Sequence, residues 1–261
     1  MDNPTAAALA RSTRQAAATR GAQATQAVLA AAAGTATAAS QATAWAQANV
    51  TSTAEAQATL QAIAAAEHTW PLRLHDSFQD DHVGWPQGQR QVLGHVLTRG
   101  IAGGRYHWEL AAVAGPGSLV EQPAQSPPLG DFYAAVSIQF GPGDDTGQLI
   151  YGLAYRLARQ DFGFFGLQKT KGYRAQEMQA GSEQNGEFQA SSLINTRAGA
   201  VKRLAVLAQG QVVSLPINDQ RVTHYVTPLA PGAVGLGVVA LSSSPADQVD
   251  FTDFELRGLS P

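Results

Sequence analysis

Residues 147–169 decide the fold: GQLIYGLAYRLA (147–158), RQD (159–161) and FGFFGLQK (162–169). Two runs of β-branched, aromatic and small residues flank a short polar turn, which predicts a β-hairpin. Pairing Ala158 with Phe162 sets Tyr155 opposite Phe165 and Leu153 opposite Leu167. Side chains alternate across a strand, so Tyr151, Leu153, Tyr155, Leu157, Phe165 and Leu167 share one face. That face is expected to be core. The other face collects Gly152, Ala154, Arg156, Phe164, Gly166 and Gln168. Small residues leave room there, while Arg156 and Gln168 offer donors. This second face reads either as the floor of a ligand groove or as an ordinary solvent face. The assignment depends on register, because a one-residue slip exchanges the faces.

Further strand-like runs lie on both sides of the hairpin, at 91–98, 105–113, 131–140, 172–179, 201–208, 211–217, 221–226, 233–241 and 248–256. Helix-period segments are absent from residue 72 onward. Many short strands with Gly/Pro turns predict an all-β sandwich or barrel.

Upstream, composition changes abruptly near Glu67. Residues 1–67 hold 28 Ala, 10 Thr and 7 Gln, whereas 24 of the 26 Gly and 12 of the 13 Pro lie beyond them. This divides the chain into an Ala/Thr/Gln-rich stalk or spacer at 1–67 and a β-rich head at 68–261. Gln23-Ala24-Thr25, Gln41-Ala42-Thr43 and Gln57-Ala58-Thr59 repeat at spacings of 18 and 16 residues. Eighteen residues is about five helical turns, so the first two copies share a helix face. Alanine and glutamine favour helix. Asn3-Pro4 suits a helix start, and Ser52 with Glu55 has capping-box form. Two or three helical pieces between about 5 and 66 are expected. Large apolar residues are too few for a heptad, leaving three readings: a coiled stalk that makes a homo-oligomer, a helix docked on the head, or a disordered spacer.

Composition excludes several functions. The chain has 261 residues, 14% charged residues and a net charge of −3, without the basic excess of a nucleic-acid binder. It has no cysteine, which excludes disulfides, Cys-ligated zinc, iron–sulfur clusters and thiol catalysis. No run of 18 apolar residues predicts a membrane span. Arg11, Arg14 and Arg20 ahead of Ala27–Ala33 imitate a signal peptide, but the apolar run is weak. Asn49-Val50-Thr51 matches a glycosylation sequon that reads as a chance match in a Thr-rich stretch.

The head resembles a known superfamily. The carrying residues are Asp76-Ser77-Phe78, Gly84-Trp85-Pro86, the 147–162 hairpin, Leu204-Ala205-Val206, Val213-Ser214-Leu215, Ile217-Asn218-Asp219, Gly232–Leu236 and Val249–Phe254. Their order resembles concanavalin A-like lectin/glucanase domains in their laminin-G-like bacterial form, over about 72–257. The resemblance implies a two-sheet jelly roll whose first and last strands are neighbours. It also implies an extracellular or cell-surface setting, since such domains follow Ala-rich stalks in bacterial surface proteins. The fold hosts lectins, glycosidases and adhesion modules alike.

Screening for chemistry finds no catalytic motif. The Glu-x-Asp-x-x-Glu string of this fold's glucanases is missing. Glu177, Glu183 and Glu187 read as a solvated loop broken by glycines. The six histidines form no His-x-x-x-His pair, there is no Gly-x-Ser-x-Gly elbow, and Gly235-x-Gly237-x-x-Ala240 lacks a following helix. Asp80, Asp81, Asp144 and Asp145 are candidate calcium ligands, although Asp-rich turns form without metal. Tyr173, with Trp85, Tyr106 and Trp108, is a candidate for stacking on a sugar ring. The expected ligand-binding set is Arg156, Phe164, Gln168, Gly152 and Tyr173. The expected function is noncatalytic, lectin-like recognition of a glycan or other surface partner. A self-assembling surface or fibre subunit is the alternative, and a divergent glycoside hydrolase the third.

Overall fold

The hairpin forms, within one of two sheets stacked face to face. The structure is a computed structural model that describes residues 54, 57–92, 95–143, 145–170, 172–197 and 199–259. The chain divides into Met1–Glu55 and Ala56–Pro261, and apart from residue 54 the described residues belong to the second unit. The QAT copies at 23 and 41, the Ser52 capping box and the helical pieces expected before residue 57 lie outside the described residues.

Fifteen strands are described: β1 (Leu72–Asp76), β2 (Gly88–Val92), β3 (His95–Ala102), β4 (Arg105–Leu110), β5 (Gly117–Glu121), β6 (Phe132–Phe140), β7 (Leu149–Ala158), β8 (Asp161–Leu167), β9 (Gly172–Gln179), β10 (Ser182–Ala190), β11 (Val201–Gln209), β12 (Val212–Ile217), β13 (Gln220–Val226), β14 (Ala233–Ala240) and β15 (Asp247–Gly258). Nine form one sheet in the order β13-β12-β11-β6-β15-β4-β3-β2, with β1 also paired to β15. Six form the other, in the order β10-β9-β8-β7-β14-β5. The two-sheet sandwich is therefore present.

The first and last strands are neighbours, as the resemblance implies. Leu74 pairs with Leu256 and Asp76 with Phe254. β4 takes the earlier part of the same β15 edge, from Asp247 to Phe251. Between these stretches Asp253 has a φ of 53°, and the β6–β15 register shifts between Thr252 and Glu255.

Alternate residues along the strands of both sheets fill the space between them. Tyr151, Leu153, Tyr155, Phe165 and Leu167 lie in this core, as the hairpin alternation predicts. An aromatic group closes one part of it. Trp85 packs on Phe78, Tyr106 and Phe254, and Trp108 packs on Tyr106 and Phe251. Asp76 organises this group: its carboxylate accepts the Phe78 amide at 2.7 Å and the Trp85 indole N–H at 2.9 Å. Trp85, Tyr106 and Trp108 are thus interior residues and not surface stacking platforms. At one margin Glu121 on β5 pairs with Arg90 on β2 and Arg99 on β3, joining the two sheets.

One helix, α1 (57–69), crosses the composition boundary. Thr59, Ile63 and Ala66 are buried, at the spacing of one helical stripe. Ile63 and Ala66, with Ala62 and Trp70, pack on Tyr133, Ala135, Ala205 and Leu207, the outward side chains of β6 and β11. Tyr133 donates to Glu67 at 2.7 Å. Pro71, which cannot continue a helix, follows the last turn. Over 57–69 the docked-helix reading holds. Starting the chain at residue 70 instead of 56 removes this cover. The loss of Ile63 burial alone is worth roughly 2 kcal/mol, or a Tm lower by roughly 4–8 °C. Calorimetry of both truncations measures it, and equal melting temperatures would show that α1 adds no stability.

Candidate functional site

The hairpin's outer face is not the open groove floor expected from its small residues. Gly166, Gly152 and Gly237 sit side by side across β8, β7 and β14. This glycine row creates a furrow, and the Phe164 ring fills it. A Cβ added at Gly166 would lie 2.6 Å from that ring, and one at Gly237 would lie 3.1 Å from it. A Cβ at Gly152 would strike the Phe165 carbonyl oxygen, so this glycine serves close strand approach. Phe164 is fully buried in a second apolar cluster with Ile150, Ala154, Phe162 and Val239, outside the main core.

Arg156 departs furthest from expectation. It has a φ of 52°, and the β7–β8 register shifts between Tyr155 and Ala158. This bulge reverses the alternation beyond Tyr155. Leu157 joins the outer cluster, and Arg156 is 3% exposed. Its guanidinium donates to the carbonyl of Leu229 at 2.7 Å, to that of Gly130 at 3.2 Å and to that of Gly210. Burial draws its pKa down, while Asp131 and Glu177 oppose that shift. Three backbone carbonyls thus occupy the group expected to meet a ligand.

Gln168 is also engaged locally. Its side-chain amide donates to the Gly147 carbonyl, and Thr170 donates to its oxygen at 3.1 Å. Tyr173 points into the main core beside Phe165, and its hydroxyl donates to Gln189 at 2.5 Å. The structure therefore brings none of the five expected ligand residues together at an open surface.

The Asp80–Asp81 pair is occupied by its own loop. Asp80 lies 2.6 Å from His82 Nδ1, while Asp81 accepts the Trp85 amide and the Gln87 side chain, each at 2.8 Å. Asp145 is exposed, and Asp144 lies outside the described residues. Among the described residues no three His, Asp or Glu side chains converge as metal ligands.

A cleft nevertheless lies on the six-stranded sheet. Its volume is about 420 Å³, and its lining comes from β5, β14, β9 and β10. Met178, Val239 and Leu241 supply apolar wall; Ser118, Arg174, Gln176 and Glu183 supply polar groups. Tyr173 and Ala175 face the core, so strand alternation sends Arg174, Gln176 and Met178 to the opposite face. Arg174 Nε donates to Gln176 Oε1 at 2.5 Å, and Arg174 Nη2 donates to Glu183. The result is a fixed polar ladder beside apolar wall. Gln176 is 2% exposed, held by its neighbours before any ligand arrives. Glu183 lies on β10, the polar stretch expected to be a loop. The alternation within 172–179 was the available signal for Arg174 and Gln176; for Glu183 there was none. Glu177, by contrast, is fully buried.

No family model matches the chain, and no curated protein matches it. Solved structures do. An endo-1,3-beta-glucanase (laminarinase) catalytic domain from Thermotoga petrophila RKU-1 is 7% identical with a TM-score of 0.51, covering 74% of this chain and 99% of that one. A glycosidic hydrolase is 8% identical with a TM-score of 0.52, covering 72% and 96%. A carbohydrate-binding module from Bacillus subtilis is 12% identical with a TM-score of 0.46, covering 72% and 95%. At such identities the likeness is one of fold.

Proposed function

We propose that the head is a noncatalytic, lectin-like module of concanavalin A-like type. It binds a glycan in the cleft on the six-stranded sheet, and it works at the cell surface. The observation that carries this reading is the cleft's composition: apolar wall beside a ladder of pre-bonded polar side chains, the usual make-up of a small-molecule site. A retaining glycosidase needs two carboxylates about 5 Å apart. Glu183 is the one carboxylate in the described lining, which favours binding over hydrolysis.

A glycan array probed with the full chain tests this. Gln176→Ala is expected to weaken the best ligand at least tenfold while leaving the melting temperature within about 2 °C. An array with no hit, or a hit indifferent to Gln176→Ala, would remove the cleft from consideration.

The self-assembling subunit keeps one observation in its favour. The edge strand β10 carries Phe188 at 47% exposure. Edge strands with exposed apolar side chains are templates for pairing. A mass that grows with concentration in light scattering, and that Phe188→Lys abolishes, would select that reading.

A further inference from the structure

A larger cavity, of about 610 Å³, lies away from the cleft. Its lining comes from β4, β6, β11, β15 and the loops around Lys169 and Arg197. Lys202 is the unusual member. On β11, Leu204 and Val206 face the core, and alternation sends Lys202 the same way. The residue is 1% exposed. Its ammonium stands 4.6 Å from the centroid of the Phe140 ring. Among the described residues it has no hydrogen bond and no carboxylate partner. A buried, unpaired ammonium is costly, and a cation–π contact returns only part of that cost.

The neighbouring charges do not neutralise it. Asp250 is held by Arg105 at 2.9 Å and by His107 at 2.7 Å. Asp247 is paired with Lys169. Asp145 is exposed, and so is Arg197, whose side chain has no partner among the described residues. Among the described residues, setting each of these carboxylates against one cation, including Asp145 against Arg197, leaves Lys202 over. Burial and the nearby Lys169 both draw its pKa below the ordinary lysine value.

We propose that this cavity binds an oxyanion, the carboxylate or sulfate of an acidic sugar, with Lys202 as its buried counter-ion and Arg197 at the entrance. Its volume suits a small ligand, and Thr170, Thr196, Gln139 and Gln248 in the lining offer groups for ring hydroxyls. The sugar part of the assignment rests on the glycan reading above; the oxyanion part does not.

The test measures thermal shift and titration of the full chain with glucuronate, glucose 6-sulfate, sodium sulfate and glucose. Ionic strength is held constant with chloride. Glucuronate or glucose 6-sulfate, whichever source supplies the anion, is expected to raise the Tm saturably, and glucose to leave it unchanged. Lys202→Met is expected to weaken the anion at least tenfold. Without ligand, the variant should melt no lower than wild type, because a hydrophobe replaces an unpaired buried charge. Arg197→Ala, at an exposed position, should weaken binding several-fold without moving the ligand-free Tm, and it serves if Lys202→Met does not fold. Saturation by sodium sulfate alone would support the oxyanion site and overturn the sugar assignment. No saturable anion effect, or one that both variants retain, would overturn the site. Gln176→Ala must leave the anion response intact, which separates this cavity from the cleft.

Discussion

Arg156→Ala lowers the stability of the protein by roughly 3–5 kcal/mol, the usual loss when one partner of a buried charged network is removed. The carbonyls of Gly130, Gly210 and Leu229 lose their donor together. Gly130 precedes β6, Gly210 turns β11 into β12, and Leu229 leads into β14. One side chain therefore fastens three connections that belong to both sheets. The denaturant midpoint should fall sharply with an unchanged slope. Affinity for a glycan in the cleft should stay within about twofold under native conditions. A stable Arg156→Ala protein that has lost its ligand would instead place the guanidinium in binding.

Asp76→Ala is expected to cost roughly 2–6 kcal/mol, since the Phe78 amide and the Trp85 indole N–H each lose a buried acceptor at about 1–3 kcal/mol. Asp76→Asn keeps one acceptor oxygen and should fall between alanine and wild type. The same site has a pH signature. Burial raises the Asp76 pKa above 3.8 in the folded protein, overriding its two hydrogen bonds, which lower it. The native state then holds this proton to a higher pH than the unfolded chain does. Its contribution to stability is full below about pH 4 and is lost as pH rises through the raised value. Both substitutions should remove that slope. Urea midpoints for the three proteins from pH 3 to 7 decide it, and parallel curves would assign the pH dependence elsewhere.

How much of this was legible in the sequence follows from burial. Strands buried on both faces, such as Ala233–Ala240, are continuous apolar runs and were visible. β10, with Ser182, Glu183, Gln184 and Gln189, sits at a sheet edge where polar side chains are tolerated, so it looked like a loop. β5 was missed at the opposite edge of the same sheet. The run at 91–98 straddles two strands, with Val92 of β2 opposite His95 of β3. Up to Tyr155 the hairpin register is displaced by two residues, with Leu153 opposite Phe165, and beyond the bulge by one, with Ala158 opposite Asp161. A two-residue shift preserves faces, which is why the core assignment survived. The bulge reverses the faces only beyond Tyr155. Nothing in the letters marked it, because the left-handed residue there is an arginine and not a glycine. The candidate site suffered for that reason: its chosen centre was the residue that the bulge turned inward. Alternation along β9 puts Arg174 and Gln176 on the cleft face, opposite the core-facing Tyr173.

The position of β15 bears on how the protein is made. It is the last of the described strands, yet it lies inside the nine-stranded sheet, paired with β6 on one side and with β4 and β1 on the other. During synthesis, strands appear in order, so β1, β4 and β6 must wait for a partner encoded some hundred or more residues later. Until residue 258 leaves the ribosome, β13-β12-β11-β6 and β4-β3-β2 are unjoined pieces with open edges, and β1 lacks its strand partner. Closure of such non-local pairs is slow, and the unfinished edges are exposed to other chains meanwhile. The nascent protein completes its larger sheet only after β15 has been made, with the insertion of a single central strand.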